Sequence, residues 1–259
     1  MNNDNNDHFL DSLSGSEIDD LLQISLLGNR AFVHDFRSPF FTINNAFELF
    51  GMIEDTTDLR DFGSIVDMVG DSISEIDKRL RYIPQWRNLE TALVCDLEEL
   101  EKTLKEEFGA SLEINIEPFK QTSYKVAFPS NMLDFVITEL ARNGFRHGVE
   151  DDPVVIGITI EPDQLILKSS NRTIQDFREF PTTYSAVTGR LLRSLNTESI
   201  PKQEIDRGLD LIYDVVTISN GKWFARYDRD TSMFKTRVHL PIKGVLLGSD
   251  FLRPEAKVD

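Results

Sequence analysis

The sequence predicts an α+β protein in which a pair of long helices precedes a sandwich of helices on a mixed sheet. Two observations lead to this fold class. Apolar residues recur at helical spacing over most of the chain before Pro84. Beyond Trp86, segments in which apolar and polar residues alternate, as they do in strands, are separated by further helical stretches.

The domain boundary is predicted at Pro84 to Trp86, where the helical periodicity is interrupted. The first residues are rich in asparagine and aspartate, which is typical of a mobile segment. We expect a disordered tail over 1–13, a helical hairpin over 14–84, an α/β sandwich over 85–243 and a C-terminal tail over 244–259.

Composition limits the classes of function. The chain has 259 residues, 40% of them hydrophobic, and a formal charge of −16. That charge disfavours nucleic acid and anionic membrane as partners, because both are bound through basic patches. A single cysteine, Cys95, is typical of a reducing compartment. No apolar run reaches about 18 residues and no signal peptide is visible, so we expect a cytoplasmic protein without membrane insertion.

The first helix begins at a capping box, in which Ser14 and Glu17 can each bond the other residue's backbone N–H. Its periodicity continues to about Gly51, which gives a helix roughly 50 Å long. A turn over 54–57 reverses the chain, and a second helix is predicted over about 59–82.

Two long antiparallel helices with broad apolar faces cannot bury those faces alone. Pairing two hairpins produces a four-helix bundle, so we expect a homodimer. The alternative is a monomer whose hairpin packs on its own C-terminal domain. The apolar stripe of the second helix consists of Phe62, Ile65, Val66, Val69, Ile73, Ile76 and Leu80.

The first helix carries a histidine beside its apolar stripe. His34 precedes Phe36 by two positions, about 200° around the helix, so burial of the stripe turns the imidazole toward water. Pro39 lies one turn after Asp35 and leaves the Asp35 carbonyl without its usual donor. Packing alone does not require a kink next to an exposed His–Asp pair. The stripe consists of Phe36, Phe40, Ile43, Phe47 and Phe50.

Residues 34–39, His-Asp-Phe-Arg-Ser-Pro, resemble the H-box of sensor histidine kinases, where the histidine takes a phosphoryl group. The continuation over 43–49 resembles the phosphoacceptor helix of dimeric histidine phosphotransferases, which keep a kinase-shaped body but do not use ATP. The resemblance implies that His34 is a phosphoacceptor. A lone histidine is otherwise most often a surface or core residue without a chemical task.

The residues around His34 suit phosphoryl transfer. A neutral imidazole is nucleophilic near its pKa of about 6.5. Asp35 can accept the ring proton and fix the tautomer, and Arg37 can offset phosphoryl charge. Ser38 lies one turn from His34 and could orient a water for dephosphorylation. We therefore predict His34, Asp35, Arg37 and Ser38 as the catalytic residues.

The second domain is predicted from periodicity, with residues 171–206 as a long loop containing one helical piece. The order of its elements resembles the ATP-binding domain shared by histidine kinases, gyrase and Hsp90. The predicted helices cover about 88–108, 130–147 and 209–218, and the predicted strands cover 112–116, 124–128, 154–160, 164–168, 222–228 and 233–241.

One motif of that domain is retained. Glu139 and Asn143 lie one turn apart at the border of a buried stripe, where two oxygens can hold a divalent ion or its waters. They resemble the kinase N-box, in which the acid assists proton removal and the asparagine binds Mg²⁺, and Arg146 matches the basic position that faces phosphate. A Glu/Asn pair alone is usually a solvated helix edge.

The nucleotide motifs are altered. In the family, a strand ends in Asp-x-Gly-x-Gly, where Asp accepts from the adenine amine. Here the chain reads Ser-Ser-Asn-Arg-Thr over 169–173, so Asn171 is a neutral and weaker substitute. The glycine-rich turn that cradles phosphates keeps only Gly208 of three glycines, and the other two positions are aspartates. A carboxylate about 4 Å from a phosphate costs about 4 kcal/mol at an effective dielectric constant near 20.

Three hypotheses remain from the sequence. The chain is a dimeric histidine phosphotransferase that relays phosphoryl groups between response-regulator aspartates through His34 and needs no cofactor of its own. Alternatively it is a divergent kinase that binds Mg-ATP, with Asn143 as the metal ligand. The third hypothesis is a non-catalytic module that binds a kinase or a regulator. The partners expected under the first are an upstream histidine kinase, a response-regulator receiver domain and a second copy of the chain.

Overall fold

The computed structural model describes the backbone of most of the chain. The described residues are 9–35, 37–52, 59–80, 89–117, 124–173, 180–187, 207–247 and 250–252. Among them, no helix has the length and apolar character that crossing a membrane requires.

Seven α-helices are present in the described residues. They are α1 (Gly15–Asp35), α2 (Arg37–Met52), α3 (Leu59–Leu80), α4 (Leu89–Leu93), α5 (Leu97–Phe108), α6 (Ser130–His147) and α7 (Arg207–Ile218). The predicted helices over 130–147 and 209–218 match α6 and α7 closely, because both have strong apolar periodicity.

The strands form two sheets. A six-stranded sheet has the order β2-β4-β5-β8-β7-β6, in which only β2 and β4 are parallel. A four-stranded antiparallel sheet has the order β1-β3-β9-β10. The strands are β1 (Cys95–Asp96), β2 (Leu112–Glu117), β3 (Tyr124–Val126), β4 (Val154–Ile160), β5 (Gln164–Arg172), β6 (Ser185–Ala186), β7 (Lys222–Asp228), β8 (Met233–Pro241), β9 (Val245–Leu247) and β10 (Asp250–Leu252).

The main core lies between the six-stranded sheet and helices α5, α6 and α7. Alternate residues of β4, β5, β7 and β8 are buried, as expected for a sheet that packs on one face. Helix α6 contributes much of the opposite layer, for example Leu133, Val136 and Ile137. The predicted α+β class and the order of a helical pair followed by a sandwich are confirmed.

Helix α1 packs directly on the sandwich. Gly28 is buried against Met132 of α6, and a Cβ atom at position 28 would lie 2.0 Å from the Met132 sulfur. A second apolar cluster joins Leu21 of α1 to Leu93 and Leu246. Any side chain at position 28 would have to displace the buried Met132 side chain, so glycine suits this contact between α1 and α6.

Both predicted tails differ from the structure. Phe9 and Leu13 are buried in the apolar cluster of α1, so residues 9–13 are packed, whereas residues 1–8 lie outside the described part. At the other end, Val245 and Leu246 are buried in β9. Short apolar segments of this kind are stabilised only by tertiary contacts, and their periodicity is too brief to read from the sequence.

The predicted helix over 88–108 is two helices separated by a strand. The leucine periodicity continues across the break, but Cys95 and Asp96 pair with β3. Asp96 is the N-cap of α5, where its Oδ1 accepts from the backbone N–H groups of Glu98 and Glu99 at 3.0 and 3.3 Å. The cap satisfies donors that would otherwise lack partners at a helix start.

We expect Gly28→Ala to destabilise the protein by about 1–3 kcal/mol, because the new methyl group must displace the fully buried Met132 side chain. The matched control is Gly70→Ala in α3, where a Cβ would meet nothing within 4 Å. That change should stabilise by roughly 0.5–1 kcal/mol through helix propensity. Urea denaturation measures both, and equal effects at the two positions would contradict the close crossing.

Candidate functional site

The predicted phosphoacceptor segment has helical backbone at residues 34, 35 and 37–39. The capping box at the start of α1 is present, with the Ser14 backbone N–H donating to Glu17 Oε2 at 2.7 Å. His34 and Asp35 are the last two residues of α1, and residues 37 and 38 begin α2. Residue 36 and the side chains of His34, Asp35, Arg37 and Ser38 lie outside the described part, so their catalytic roles stay predictions.

The aromatic stripe of α2 is not buried within one chain. Phe40 and Phe47 are 57% and 64% exposed, and Phe50 is also exposed. Among the described side chains of α2, the buried ones are instead Pro39 and Ala46. The stripe was predicted to be buried by a second hairpin, so its burial stays a prediction; within one chain, α3 contacts it at Phe50, whose ring centroid lies 5.8 Å from that of Phe62.

Helix α3 also exposes apolar residues along one side. Phe62, Val66, Ile73 and Leu80 are exposed at intervals of four and seven residues, whereas Ile65 is buried. A four- and seven-residue spacing places these side chains along one seam, as in helices that pack lengthwise. In the described residues, the hairpin therefore does not bury this seam against its own sandwich domain.

Glu139 of the retained N-box is engaged in an ion pair. Its Oε1 accepts from Arg142 Nη1 at 3.0 Å, and Arg142 Nη2 reaches Glu107 Oε1 of α5 at 3.1 Å. All three side chains are more than two-thirds buried, which limits solvent screening. Arg142 thus ties the N-box acid to α5.

Asn143 is half-buried one turn after Glu139, as predicted for a residue at the border of the stripe. Its Nδ2 atom is buried and has no hydrogen-bond partner among the described residues. Thr236 Oγ1 on β8 is likewise buried without a partner there. Arg146 is exposed near the end of α6. Buried polar atoms without partners are costly, so these two merit a functional explanation.

At the end of β5, the polar groups make hydrogen bonds within the chain instead of being available to a ligand. Asn171 is buried, and its Nδ2 donates to the neighbouring Arg172 carbonyl at 3.4 Å. That carbonyl also accepts from the Val149 backbone N–H at 3.1 Å, and the Thr173 backbone N–H donates to the Ser232 carbonyl at 2.9 Å. The backbone groups that follow Asn171 are therefore used within the chain.

A long side chain also lies at this end of the strand. Arg172 Nη1 pairs with Asp152 Oδ2 of the α6–β4 connection at 3.5 Å. The first glycine of the motif that the sequence resembles corresponds to Thr173, which is buried. Asn171 itself lies within β5, paired with Phe234, whereas residue 171 was predicted as the start of a loop.

The residues at the end of β5 therefore fit a nucleotide poorly. Gly208 lies in the first turn of α7, while residue 206 and the side chains of 207–211 are outside the described part. Among the described residues there is no group of three or more His, Cys, Asp or Glu side chains that could hold a metal ion. Asn143 remains the one described N-box group with an unused buried donor atom.

One buried acid was not singled out from the sequence. Burial raises the pKa of Asp134 to about 7, the Glu107 carboxylate adds to this rise, and a hydrogen bond from Thr138 opposes it. Asp134, Thr138 and Arg142 recur every four residues, so they form a polar row on the side of α6 that faces α5. That spacing is visible in the sequence, but Glu107 is distant along the chain.

Cys95 behaves as a packed residue. It is buried, and burial raises the pKa of its thiol well above the ordinary value, with Asp134 adding to the effect. A thiol that stays protonated is a weak nucleophile, which agrees with a structural role.

No protein-family model matches the chain, and no curated protein matches it. Among solved structures, it is similar to the histidine kinase AdeS from Acinetobacter baumannii, at 15% identity over 81% of this chain and 98% of that chain, with a TM-score of 0.45. It is similar to a bacterial phosphotransferase at 13% identity over 88% of this chain and 98% of that chain, with a TM-score of 0.43.

A third similar structure is the catalytic domain of the histidine kinase ThkA, at 11% identity over 57% of this chain and 94% of that chain, with a TM-score of 0.39. The three are histidine kinases and a phosphotransferase, the classes of protein whose motifs the sequence resembles. Because the identities are low and the TM-scores lie below 0.5, the function has to be inferred from the chain's own residues.

We expect Asp134→Asn to stabilise the protein more at pH 8 than at pH 5. The folded state holds the Asp134 proton more tightly than the unfolded chain, since its pKa is about 7 rather than 3.8. Its contribution to stability is therefore complete below about pH 4 and is lost as the pH rises to about 7. The increase in the free energy of unfolding caused by Asp134→Asn should be larger at pH 8 than at pH 5 by on the order of 3 kcal/mol.

Urea denaturation across this pH range measures the effect. The control is Asp163→Asn, which removes an exposed carboxylate and should change stability by less than about 0.5 kcal/mol. A pH-independent difference between Asp134→Asn and the wild type would contradict the buried environment of Asp134.

Proposed function

We propose that the chain is a histidine phosphotransferase of two-component signalling and acts as a homodimer. His34 attacks the phosphoryl group of a receiver aspartate. The P–O bond of the acyl phosphate breaks, a P–N bond forms at the imidazole, and the receiver carboxylate is regenerated. The reverse reaction passes the group to a second receiver. Positioning and charge compensation suffice for this exchange, and each receiver supplies its own Mg²⁺.

The observation that carries the proposal is the unburied apolar seam of the α2–α3 hairpin, which begins directly after His34 and Asp35. Phe40, Phe47 and Ile73 are each more than half exposed. Contiguous exposed apolar surface of this kind marks an interaction site. A second hairpin placed on the seam would bury it in a four-helix bundle, with the phosphoacceptor helix on the flank of that bundle.

A phosphotransferase is favoured over a kinase by the described nucleotide-motif residues. Glu139 is ion-paired with Arg142, so it is not available as a proton acceptor without breaking that pair. Asn171 replaces the family's aspartate, and the groups after it are bonded within the chain. Asp-to-His exchange needs none of these residues.

The alternative function is a divergent histidine kinase that binds Mg-ATP. One observation favours it: Asn143 Nδ2 and Thr236 Oγ1 are buried polar atoms without partners in the described part of the chain. A bound polar ligand could satisfy either atom. Under this alternative, Asn143 would take its family role as a ligand of the metal.

The decisive experiment is to incubate the purified protein with labelled ATP, and separately with a labelled phosphorylated receiver domain. We expect labelling by the receiver and none by ATP. His34→Gln should abolish the label while leaving the circular dichroism spectrum and the oligomeric state unchanged. Labelling by ATP would favour the kinase, and label that survives His34→Gln would move the site elsewhere.

The thermal melt with ATP is an independent check. A ligand present at one hundred times its Kd adds about 2.7 kcal/mol to the free energy of unfolding. We expect millimolar ATP to leave the Tm unchanged. If neither ATP nor a phosphorylated receiver labels the protein, a non-catalytic binding module becomes the better account.

We expect the double variant Phe47→Glu with Ile73→Glu to convert the dimer to monomers, because it places charges in the apolar seam, where burial is unfavourable. The control is Leu89→Glu, at an exposed apolar residue of α4 outside the hairpin. Light scattering after size-exclusion chromatography gives the mass. A wild-type monomer, or a dimer that survives the double change, would contradict the bundle.

A further inference from the structure

The outer face of the six-stranded sheet concentrates positive charge in an acidic chain. On β5, β7 and β8, buried residues alternate with residues that point away from the helices. Six of the outward residues are cationic, whereas the whole chain carries a formal charge of −16. Five remain when Arg172, which pairs with Asp152, is set aside. We name these residues the basic face: Lys168, Lys222, Arg226, Lys235 and Arg237.

The register places like charges opposite one another on this face. Lys168 pairs across the ladder with Arg237, and Arg226 pairs with Lys235. Cross-strand neighbours of the same charge destabilise a sheet. A sequence selected only for folding would avoid two such pairs side by side, so the arrangement points to a use.

A single aromatic ring holds the two arginines. The Cζ atom of Arg226 lies 4.5 Å from the centroid of the Tyr184 ring, and that of Arg237 lies 5.0 Å from it. Tyr184 is 38% exposed, so the ring is at the surface. The Nε atoms of both arginines are buried and have no hydrogen-bond partner among the described residues. Both guanidinium groups are thus fixed in place.

Among the described residues, negative charge on the same face is sparse near the arginines. Asp228 Oδ2 pairs with Lys235 at 3.5 Å. The acidic residues of β2, Glu113 and Glu117, lie four strands from β7, roughly 19 Å away. Glu161 lies near His239 at the end of the face, where its Oε2 accepts from the Gln164 side-chain amide.

The electrostatic environment of His239 agrees with a positive field. The pKa of His239 is lowered mainly by burial and next by Arg237, with smaller contributions from Lys222 and Lys168, while Glu161 opposes them. Three cations of the basic face therefore act together on one ring.

We propose that the basic face binds an acidic segment of a partner protein in an extended conformation. Arginine forks match carboxylates in a planar, two-point geometry. Alternate side chains of an extended segment lie about 6.6 Å apart, which is also the spacing of Lys235 and Arg237 along β8. A nucleic acid fits less well, because a long polyanion is repelled by the rest of this acidic chain. The surface is independent of the transfer chemistry at His34.

The test uses the full chain and a fluorescein-labelled heptapeptide in which glutamate and serine alternate. Fluorescence anisotropy should show binding that weakens as salt is raised, because exposed charges are screened. The double variant Arg226→Gln with Arg237→Gln should weaken binding by about tenfold or more. Tyr184→Leu should weaken it several-fold without changing the charge, because the ring no longer holds the guanidinium groups.

The matched control is the double variant Lys102→Gln with Lys105→Gln on α5, which removes the same charge from an exposed helix elsewhere. It should change the peptide affinity by less than about twofold. If circular dichroism shows that the arginine variant is unfolded, Lys168→Glu replaces it. This variant reverses an exposed charge of the same face and should also weaken binding.

Several results would overturn the proposal. They are an absence of peptide binding at low salt, equal losses in the arginine variant and the α5 control, and a heptathymidylate that binds more tightly than the peptide. The last result would make the face a nucleic-acid surface instead.

Discussion

The contact between Gly28 of α1 and Met132 of α6 is the constraint on which the rest of the structure depends. A side chain at position 28 would overlap the buried methionine, so the Met132 side chain of α6 fills the space beside the Gly28 backbone of α1. The same helix carries His34 six residues later, roughly 9 Å along its axis. The segment expected to bear the phosphoryl group thus continues a helix whose earlier turns pack on the sandwich.

The α2–α3 hairpin and the sandwich differ in which of their groups are already used in contacts within the chain. The sandwich buries the first part of α1, whereas the described side chains of α2 and α3 leave an apolar seam exposed. Within the sandwich, Arg142 joins Glu139 to α5, and the end of β5 is bonded to neighbouring segments. Groups that a nucleotide domain would keep available are used for internal contacts, which suits a supporting role for the sandwich.

Much of this could be predicted from the sequence, since long periodic segments such as α3 and α6 have one strong signal. The break at Cys95 and Asp96 was missed because leucines keep the helical period on both sides, although Asp96 followed by two glutamates is a recognisable start. The tertiary pairing of Arg142 with Glu107 joins residues 35 apart along the chain, and no local pattern contains it. The basic face was not predicted, because the net charge of the whole chain is negative. Its cations on β7, Lys222 and Arg226, occupy alternate positions of a strand that the sequence does predict.

The most direct test of the central claim is a disulfide across the α1–α6 crossing. A Cβ at position 28 would lie 3.1 Å from Met132 Cγ, so Gly28→Cys with Met132→Cys brings two thiols together, and the native Cys95 is buried. The measurement is the rate of phosphoryl exchange with a receiver domain before and after oxidation. If α1 and the sandwich work as one unit, the cross-linked protein exchanges at an unchanged rate. Loss of exchange on oxidation, restored by reduction, would show instead that the sandwich has to move away from α1.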